Sequence, residues 1–182
     1  MNHVGTIPFE TARLYCRPFQ PGDAPDMLKN WAANPNIQLE YGEPVYADAA
    51  QVSALLANYL AAYANPDVYR WAIVEKQSGE NIGQIAFCKV WSDCAAAEIE
   101  YCIGEAFWGR GYAGEALAAL IGFAFRQTEF VRLEAYHRAE NMKSGRVLEK
   151  SQMHRTRTVE RFRRANEEPV GEVCYCIEKS EV

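Results

Sequence analysis

Apolar residues recur along this chain with two different periods. They repeat at intervals of three and four over 48–63 and again over 113–124, which predicts two amphipathic helices. Apolar and polar residues alternate over 96–103, so this segment is predicted to be a strand with one apolar face. Two further strand-like runs, 69–75 and 81–90, flank a Gln-Ser-Gly-Glu segment typical of a hairpin loop. The middle of the chain is therefore predicted to be an antiparallel meander between two helices.

The remaining elements are shorter. The pattern predicts a strand at 11–18, ended by Pro18, and a helix capped by Asp23 that runs to about Trp31. The C-terminal part is predicted to contain, in order, a strand at 131–137, a short helix at 141–150 and strands at 153–163 and 171–178. This order predicts a mixed α+β fold with a single βαβ crossover, and the length of 182 residues fits one domain over 1–182.

Charge and composition exclude several functional classes. With 24 acidic and 19 basic side chains the net charge is −5. This charge argues against a general nucleic-acid or membrane-surface binder, because both partners are anionic and favour basic protein surfaces. The chain shows neither an apolar run of about 20 residues nor a signal-peptide layout at its start, so a cytoplasmic protein is predicted. The six cysteines are scattered and the three histidines lie far apart, so we expect reduced thiols and no metal site.

A glycine loop, residues 107–116, joins the end of a predicted strand to the start of a predicted helix. Helix starts expose backbone N–H groups that attract phosphate, Gly109 and Gly111 let the backbone approach a bulky anion, and Arg110 adds positive charge. The loop lacks the Gly-Lys-Ser/Thr of a Walker motif. Its Gly-x-Gly-x-x-Gly spacing does not indicate a dinucleotide fold, because that fold needs a parallel sheet and the preceding meander is antiparallel.

Segment 96–117 resembles the acetyl-CoA-binding core of the Gcn5-related N-acetyltransferase (GNAT) superfamily, and more narrowly the branch that acetylates ribosomal-protein N-termini. Three further stretches share the resemblance: Glu10 to Leu14 with Arg17-Pro18, Ile82 to Ile85, and Asn141 to Ser144 followed by Arg146 to Lys150. Two positions depart from the family pattern. Trp108 stands where Gln or Arg is frequent, and Gln152-Met153 replaces a Gly-Phe pair.

The resemblance implies a GNAT fold, with about seven mostly antiparallel strands flanked by helices and a splayed strand pair at the site of acetyl-CoA. Acetyl-CoA is then a co-substrate and no metal is needed. The residues implied to bind it are Tyr101, Cys102, Ile103, Trp108, Gly109, Arg110, Gly111, Tyr112, Ala113, Gly114 and Asn141.

Acetyl transfer to an amine requires the neutral amine, so a base must remove a proton. By resemblance Glu98 is the general base, with Glu100 on the same strand face as the alternative, and Ser144 assists the leaving thiolate. Mutual repulsion would raise one carboxyl pKa if both lined a cleft. Each residue also has a structural interpretation: Glu98 pairs with a nearby cation, while Asn141 and Ser144 begin a helix.

The acceptor side offers weaker signals. Aromatic and acidic residues of the first helices and loops would suit a cationic amine, or simply form a surface: Trp31, Glu40, Tyr41, Glu43 and Tyr46. The stretch from Arg155 to Arg164 is basic. On a continuous strand, one face would carry Arg155, Arg157, Arg161 and Arg163. Glu167 and Glu168, an acidic substrate or a coenzyme phosphate would then compensate these charges.

The leading hypothesis is an acetyl-CoA-dependent N-acetyltransferase that acts on a primary amine, either a protein N-terminus or a small molecule. A polyamine, amino-acid or antibiotic acetyltransferase of the same fold remains open. So do a non-catalytic acyl-CoA-binding module and, more weakly, a nucleotide-phosphate binder using the same loop. The sequence does not determine the acyl chain or the oligomeric state, a homodimer being one option.

Overall fold

The structure is a computed structural model that describes residues 1–162 and 168–182. Its described strands are β1 (Phe9–Glu10), β2 (Leu14–Arg17), β3 (Tyr69–Glu75), β4 (Asn81–Trp91), β5 (Ala96–Ile103), β6 (Arg132–Arg138), β7 (His154–Arg161) and β8 (Val170–Glu178). They form one sheet in the order β1-β2-β3-β4-β5-β6-β8-β7. All neighbouring pairs in this sheet are antiparallel except β5 and β6, which are parallel.

The described α-helices are α1 (Ala24–Met27), α2 (Pro35–Tyr41), α3 (Ala49–Ala62), α4 (Tyr112–Gln127) and α5 (Met142–Glu149). A 3₁₀ turn, Pro21–Asp23, precedes α1 and a π-helical turn, Leu28–Ala32, follows it. Three helices begin at polar caps whose side chains accept first-turn N–H groups, and these caps are Asn34, Asp48 and Asn141.

Two apolar cores cover the two faces of the sheet, because successive strand residues point to opposite sides. Trp71 and Ile73 of β3 pack in the core that contains Leu117, Leu120 and the rest of the apolar side of α4. The intervening residues of β3 pack in the second core, with Met27 and the apolar residues of α1 to α3. The strand alternation therefore decides which polar side chains meet on each face.

The parallel pair β5 and β6 separates part-way along its length. Cα partners run from Ala96 and Arg132 to Ile99 and Ala135, and no pairing continues beyond them, although both strands do. We call the opening after Ile99 and Ala135 the strand gap. The predicted α+β class and the predicted splayed pair are therefore both observed.

Several predicted elements differ in detail. The predicted strand 11–18 is the shorter β2, and an unpredicted two-residue strand, β1, precedes it, which gives eight described strands instead of about seven. Asp23 does not cap α1 through its side chain; its carboxylate instead binds the Arg17 guanidinium at 2.7 and 2.8 Å and accepts the Gln20 N–H at 2.7 Å. Helix α2 was not predicted, although Asn34-Pro35 at its start and Gly42 in the left-handed conformation at its end are ordinary boundary signals.

The basic β7 is compensated differently from the prediction. A bulge between Arg155 and Arg157 shifts the strand alternation, so Arg155 lies opposite Tyr175 whereas Arg157 lies opposite Cys174. The prediction that these arginines share one face is therefore wrong for Arg155, and Arg163 and Glu167 lie outside the described residues. Arg157 pairs with Glu134 at 3.3 Å.

Close packing between β4 and β5 gives a direct test of the fold. Gly83 lies so near β5 that a Cβ at this position would come within 2.2 Å of Cys102 O. We expect Gly83→Ala to lower the free energy of unfolding by about 1–3 kcal/mol, since either strand must shift. Urea unfolding measures this change. Gly171→Ala is the control, because no residue among 1–162 and 168–182 lies within 4 Å of its Cβ position; equal effects of both variants would contradict the packing argument.

Candidate active site

The strand gap exposes main-chain donors on β5. Gly104 N donates to Ile82 O at 2.8 Å, so the alternation of an antiparallel ladder points the N–H groups of Tyr101 and Ile103 away from β4. Past Ile99 no β6 residue pairs with this edge. The predicted residues Tyr101 to Ile103 therefore line an edge whose backbone groups can pair with an extended, amide-containing ligand.

The start of α4 lies just after this edge. Gly111 is its N-cap, with φ 81°, and because glycine has no side chain the N-cap residue makes no capping hydrogen bond. The first intrahelical bond is Glu115 N to Gly111 O, so the N–H groups of Tyr112, Ala113 and Gly114 have no partner within the helix. No atom of the described residues lies within 4 Å of a Cβ built at Gly109 or Gly114. This end of the glycine loop thus combines unpaired donors with open space, which fits a phosphate group.

A brace from the N-terminal region holds the glycine loop. The Arg13 guanidinium binds the Glu115 carboxylate at 2.6 Å, donates to Arg110 O at 2.9 Å and lies over the Tyr112 ring. Burial alone would raise the pKa of Glu115, but the bonds from Thr11 and Arg13 hold that pKa below its ordinary value. Arg13 lies in one of the segments that carry the family resemblance, yet the sequence did not show that it supports the loop.

Trp108 connects the loop to both sides of the strand gap. Its Nε1 donates to Ile103 O at 2.7 Å, and Lys143 Nζ of α5 lies 3.8 Å from its ring centroid. The stacked ammonium and indole are a cation–π pair. Where a Gln or Arg is frequent in the family, this chain thus uses an indole that anchors the loop to β5 and places a lysine beside it.

Tyr101 and Ser144, which are 43 positions apart in the printed sequence, meet at the strand gap. Burial raises the pKa of the Tyr101 phenol, and the adjacent Ser144 side chain opposes that shift. No hydrogen bond of good geometry from the described residues reaches the buried Tyr101 Oη. Asn141 Oδ1 accepts the Ser144 N–H at 3.1 Å, so Asn141 caps α5 as its structural interpretation expects. Their roles in binding and catalysis stay predictions.

Glu98 is held in a strong ion pair. Both of its carboxylate oxygens accept from the Arg161 guanidinium, each at 2.9 Å, and Lys89 Nζ lies 3.4 Å from Oε2. Arg161 also pairs with Glu172 at 3.2 Å and lies over the Tyr136 ring. This pairing matches the structural interpretation of Glu98 and leaves its proposed role as a base untested.

Glu100 belongs to a different cluster on the same sheet face. Its Oε1 accepts from Tyr41 Oη at 2.7 Å and from Arg70 Nη2 at 2.8 Å. Arg70 Nη1 also donates to Gln84 Oε1 at 2.8 Å. Burial alone would lower the pKa of Arg70, but Tyr41, Tyr59 and Glu100 hold it above its ordinary value. Glu98 and Glu100 therefore each pair with a separate arginine, and the predicted repulsion between them stays a prediction.

The proposed acceptor residues divide into core and surface. Trp31 is a core residue, 1% exposed, and cannot contact an acceptor. Tyr41 contacts Glu100, whereas Glu40 lies 3.9 Å from the Arg138 guanidinium. Arg70 and Gln84 were not singled out from the sequence. No local motif marks them, because Arg70 meets Glu100, and Gln84 meets Arg70, only through the register of three strands.

Comparisons with known proteins agree with this arrangement. Residues 13–154, most of the chain, match the family model for an acetyltransferase (GNAT) domain. The chain belongs to the GNAT acetyltransferase family. The uncharacterized N-acetyltransferase p20 of Bacillus licheniformis is 28% identical over 138 residues, which cover 76% of this chain and 77% of that protein. Fold, family and enzyme class are therefore as the resemblance implied.

Two solved structures share the fold of this acetyltransferase. The ribosomal-protein-S5-alanine acetyltransferase of Vibrio fischeri superposes with a TM-score of 0.78 at 16% identity, covering 95% of this chain and 97% of that one. The microcin C7 self-immunity acetyltransferase MccE, solved with acetyl-CoA and AMP, has a TM-score of 0.81 at 14% identity, covering 92% and 93%. At these identities the likeness concerns the fold alone.

We also searched the described part of the chain for membrane-spanning helices, metal-binding clusters and disulfides. There, no helix has both the length and the apolar character that crossing a bilayer requires. Across residues 1–162 and 168–182, no three His, Cys, Asp or Glu side chains are grouped to hold a metal ion. All six cysteines are free thiols, and burial raises the pKa of Cys102 to about 12, so this thiol stays protonated.

The brace under the glycine loop predicts a binding defect. We expect Arg13→Ala to weaken acetyl-CoA binding by up to about tenfold, because the loop loses its contacts to Glu115 and Arg110 O while the unpaired donors remain. Isothermal titration calorimetry measures the dissociation constant. Lys29→Ala is the control, since the Lys29 ammonium pairs with Glu80 at 2.6 Å and makes no ion pair with the described loop residues; unchanged affinity in Arg13→Ala would show that the loop needs no brace.

Proposed function

We propose that this acetyltransferase transfers the acetyl group of acetyl-CoA directly to a primary amine within a ternary complex. The observation that supports this proposal most strongly is the position of two features along the chain. The unpaired β5 edge at the strand gap is followed directly by the uncapped start of α4. An extended thioester arm fits the edge and a pyrophosphate fits the helix start. The two features lie in the order in which coenzyme A carries these groups.

The proposed binding residues follow from this placement. The N–H groups of Tyr101 and Ile103 would pair with the amide-bearing arm of acetyl-CoA, with Cys102 between them on the strand. The pyrophosphate would bind the donors at residues 112–114, helped by the dipole of α4 and the charge of Arg110. Trp108, Gly109 and Gly111 shape the turn, and Asn141, the N-cap of α5, would bind acetyl-CoA near its pantetheine arm, as the family resemblance implies. Acetyl-CoA is a substrate here, and it supplies an activated acyl group.

The transfer needs two proton movements. The neutral amine nitrogen attacks the thioester carbonyl carbon, a C–N bond forms and the C–S bond breaks. The amine loses a proton to a carboxylate on β5, Glu98 or Glu100, and the departing thiolate gains one. Ser144 would donate a hydrogen bond to that sulfur; a serine hydroxyl is too weak an acid to give up its proton fully, so solvent supplies it. A backbone N–H at the gap would polarise the carbonyl.

The acceptor is proposed to be a protein N-terminus, with a small-molecule amine as the alternative. The resemblance to the ribosomal-protein branch and the fold shared with the Vibrio fischeri enzyme support the first. The fold shared with MccE shows that the architecture also serves a self-immunity enzyme. Within the described chain, the arginines Arg157 and Arg161 of β7 pair with Glu134 and Glu98, which gives no support to an RNA-binding surface.

The test is acetyl transfer itself. We expect calorimetry to show acetyl-CoA binding, and a thiol reagent to show coenzyme A release that depends on an added amine. The acceptor panel holds Ala- and Ser-initiated peptides, spermidine, free amino acids and an aminoglycoside. Binding without amine-dependent thiol release across this panel would favour the non-catalytic module. Competition by ATP with no acetyl-CoA binding would favour the nucleotide binder.

Ser144 gives a second prediction. We expect Ser144→Ala to lower kcat by about five- to tenfold with little change in KM for the amine, because a hydrogen bond worth about 1 kcal/mol would be lost from the leaving sulfur. Steady-state kinetics with the best acceptor of the panel measure this. The control is Ser151→Ala, a serine that donates to Leu148 O at the other end of α5. Equal kcat values in the Ser144 variant and the wild type would remove Ser144 from the mechanism.

A further inference from the structure

The strand register locates the first side chain beyond the closed ladder. Glu98 lies opposite Glu134, and Ile99 opposite Ala135 is the last pair. Glu100 and Tyr136 are therefore the first residues on each strand at the strand gap, and they face the same side as Glu98 and Glu134. Glu98 lies one full alternation earlier, about 7 Å back along β5, where β6 still covers the strand edge.

The carboxylates of Glu98 and Glu100 also differ in how many of their oxygens accept hydrogen bonds. Both oxygens of Glu98 are bound by Arg161, and its side chain is 10% exposed. Glu100 uses only Oε1 for its bonds to Tyr41 and Arg70, no described residue hydrogen-bonds its Oε2, and its side chain is 25% exposed. Glu100 therefore keeps one carboxylate oxygen without a hydrogen bond from the described residues, whereas both oxygens of Glu98 already accept from Arg161.

The neighbours of Glu100 fix its position. Arg70, Ala86 and Glu100 form one row across β3, β4 and β5, and the small Ala86 side chain leaves room for Arg70 to reach over it. Arg70 is itself held by Gln84 and Tyr41 and lies over the Tyr59 ring. Helix α2 brings Tyr41 to the same oxygen. Oε1 is thus fixed from two sides, which leaves Oε2 as the carboxylate oxygen without a described hydrogen-bond donor.

We infer that Glu100, rather than Glu98, contacts the acceptor amine and takes its proton, and that Tyr41 and Arg70 are positioning residues for it. This inference rests on the proposed function. In the step, the amine N–H proton moves to Glu100 Oε2 as the C–N bond forms, and Glu100 later returns the proton to water. The Glu98–Arg161 pair has a structural task, since it ties β7 to β5 across the sheet.

The pH dependence of kcat/KM distinguishes the two carboxylates. We expect Glu100→Gln to lower kcat/KM by about 10²- to 10⁴-fold, the usual contribution of a general base. Its residual rate should rise with pH up to the pKa of the acceptor amine itself, about 8 for a peptide N-terminus, because only the neutral amine then reacts. Tyr41→Phe keeps Glu100 but removes a hydrogen bond to its carboxylate. The acidic limb of the profile, where kcat/KM falls as the base becomes protonated, should therefore move to higher pH.

Matched variants separate this role from a structural one. Glu134→Gln changes a buried, arginine-paired carboxylate on the closed ladder, and we expect it to keep the wild-type pH profile. Glu100→Gln could fail to fold, because Arg70 would lose its charged partner. In that case Glu100→Asp replaces it, since this variant keeps the negative charge. We expect the kcat of Glu100→Asp to fall while the acidic limb of its pH profile persists. An acidic limb that disappears in Glu98→Gln and persists in Glu100→Gln would overturn the inference.

The proposed function and this inference fail in different ways. A wild-type protein that releases no coenzyme A with any amine of the panel would overturn the proposed function and remove the basis of the inference. An active wild type with an unchanged profile in Glu100→Gln would overturn the inference alone. Calorimetry with acetyl-CoA should give the same affinity for Glu100→Gln and wild type, since Glu100 lies on the acceptor side.

Discussion

The end of the β5–β6 ladder at Ile99 and Ala135 is the constraint on which this molecule depends. A sheet interior normally satisfies every backbone donor, so two adjacent strands that part leave N–H groups that need a partner. Here those groups belong to Tyr101 and Ile103, and the uncapped donors of α4 follow within a dozen residues. The unsatisfied backbone, more than any single side chain, makes the region suited to an extended anionic thioester.

Such an opening needs support from elsewhere in the chain. Arg13 and Glu115 hold the glycine loop from the N-terminal side, and Trp108 ties the loop to Ile103. On the opposite face the Arg70 row and Tyr41 span β3 to α2. These contacts join segments far apart in the sequence, and they fix the loop and the acceptor side independently of each other. Binding and chemistry should therefore be separable by mutation.

Glu98 and Glu100 show how a short step along one strand changes the chemistry available to a side chain. Both are glutamates on one face of β5, and by sequence either is a reasonable base. One lies where β6 still covers the strand, and β7 supplies an arginine that occupies both its oxygens. The other lies just past the point of separation, where Arg70 and Tyr41 hold one of its oxygens and no described residue donates to the second. The difference comes from the register of neighbouring strands.

By itself the sequence determined the α+β class, the two long helices, the glycine loop and its family, because periodicity, glycines and local motifs are properties of adjacent residues. It did not reveal α2, the bulge that turns Arg155 away from Arg157, or the partners of Glu98 and Glu100. Arg70, Gln84 and Tyr41 are 59 to 16 positions from Glu100 along the chain. Only the tertiary structure decided that Arg161 binds both oxygens of Glu98 while Arg70 and Tyr41 bind one oxygen of Glu100. Ion pairing across a sheet depends on strand order and register, which local spacing does not specify.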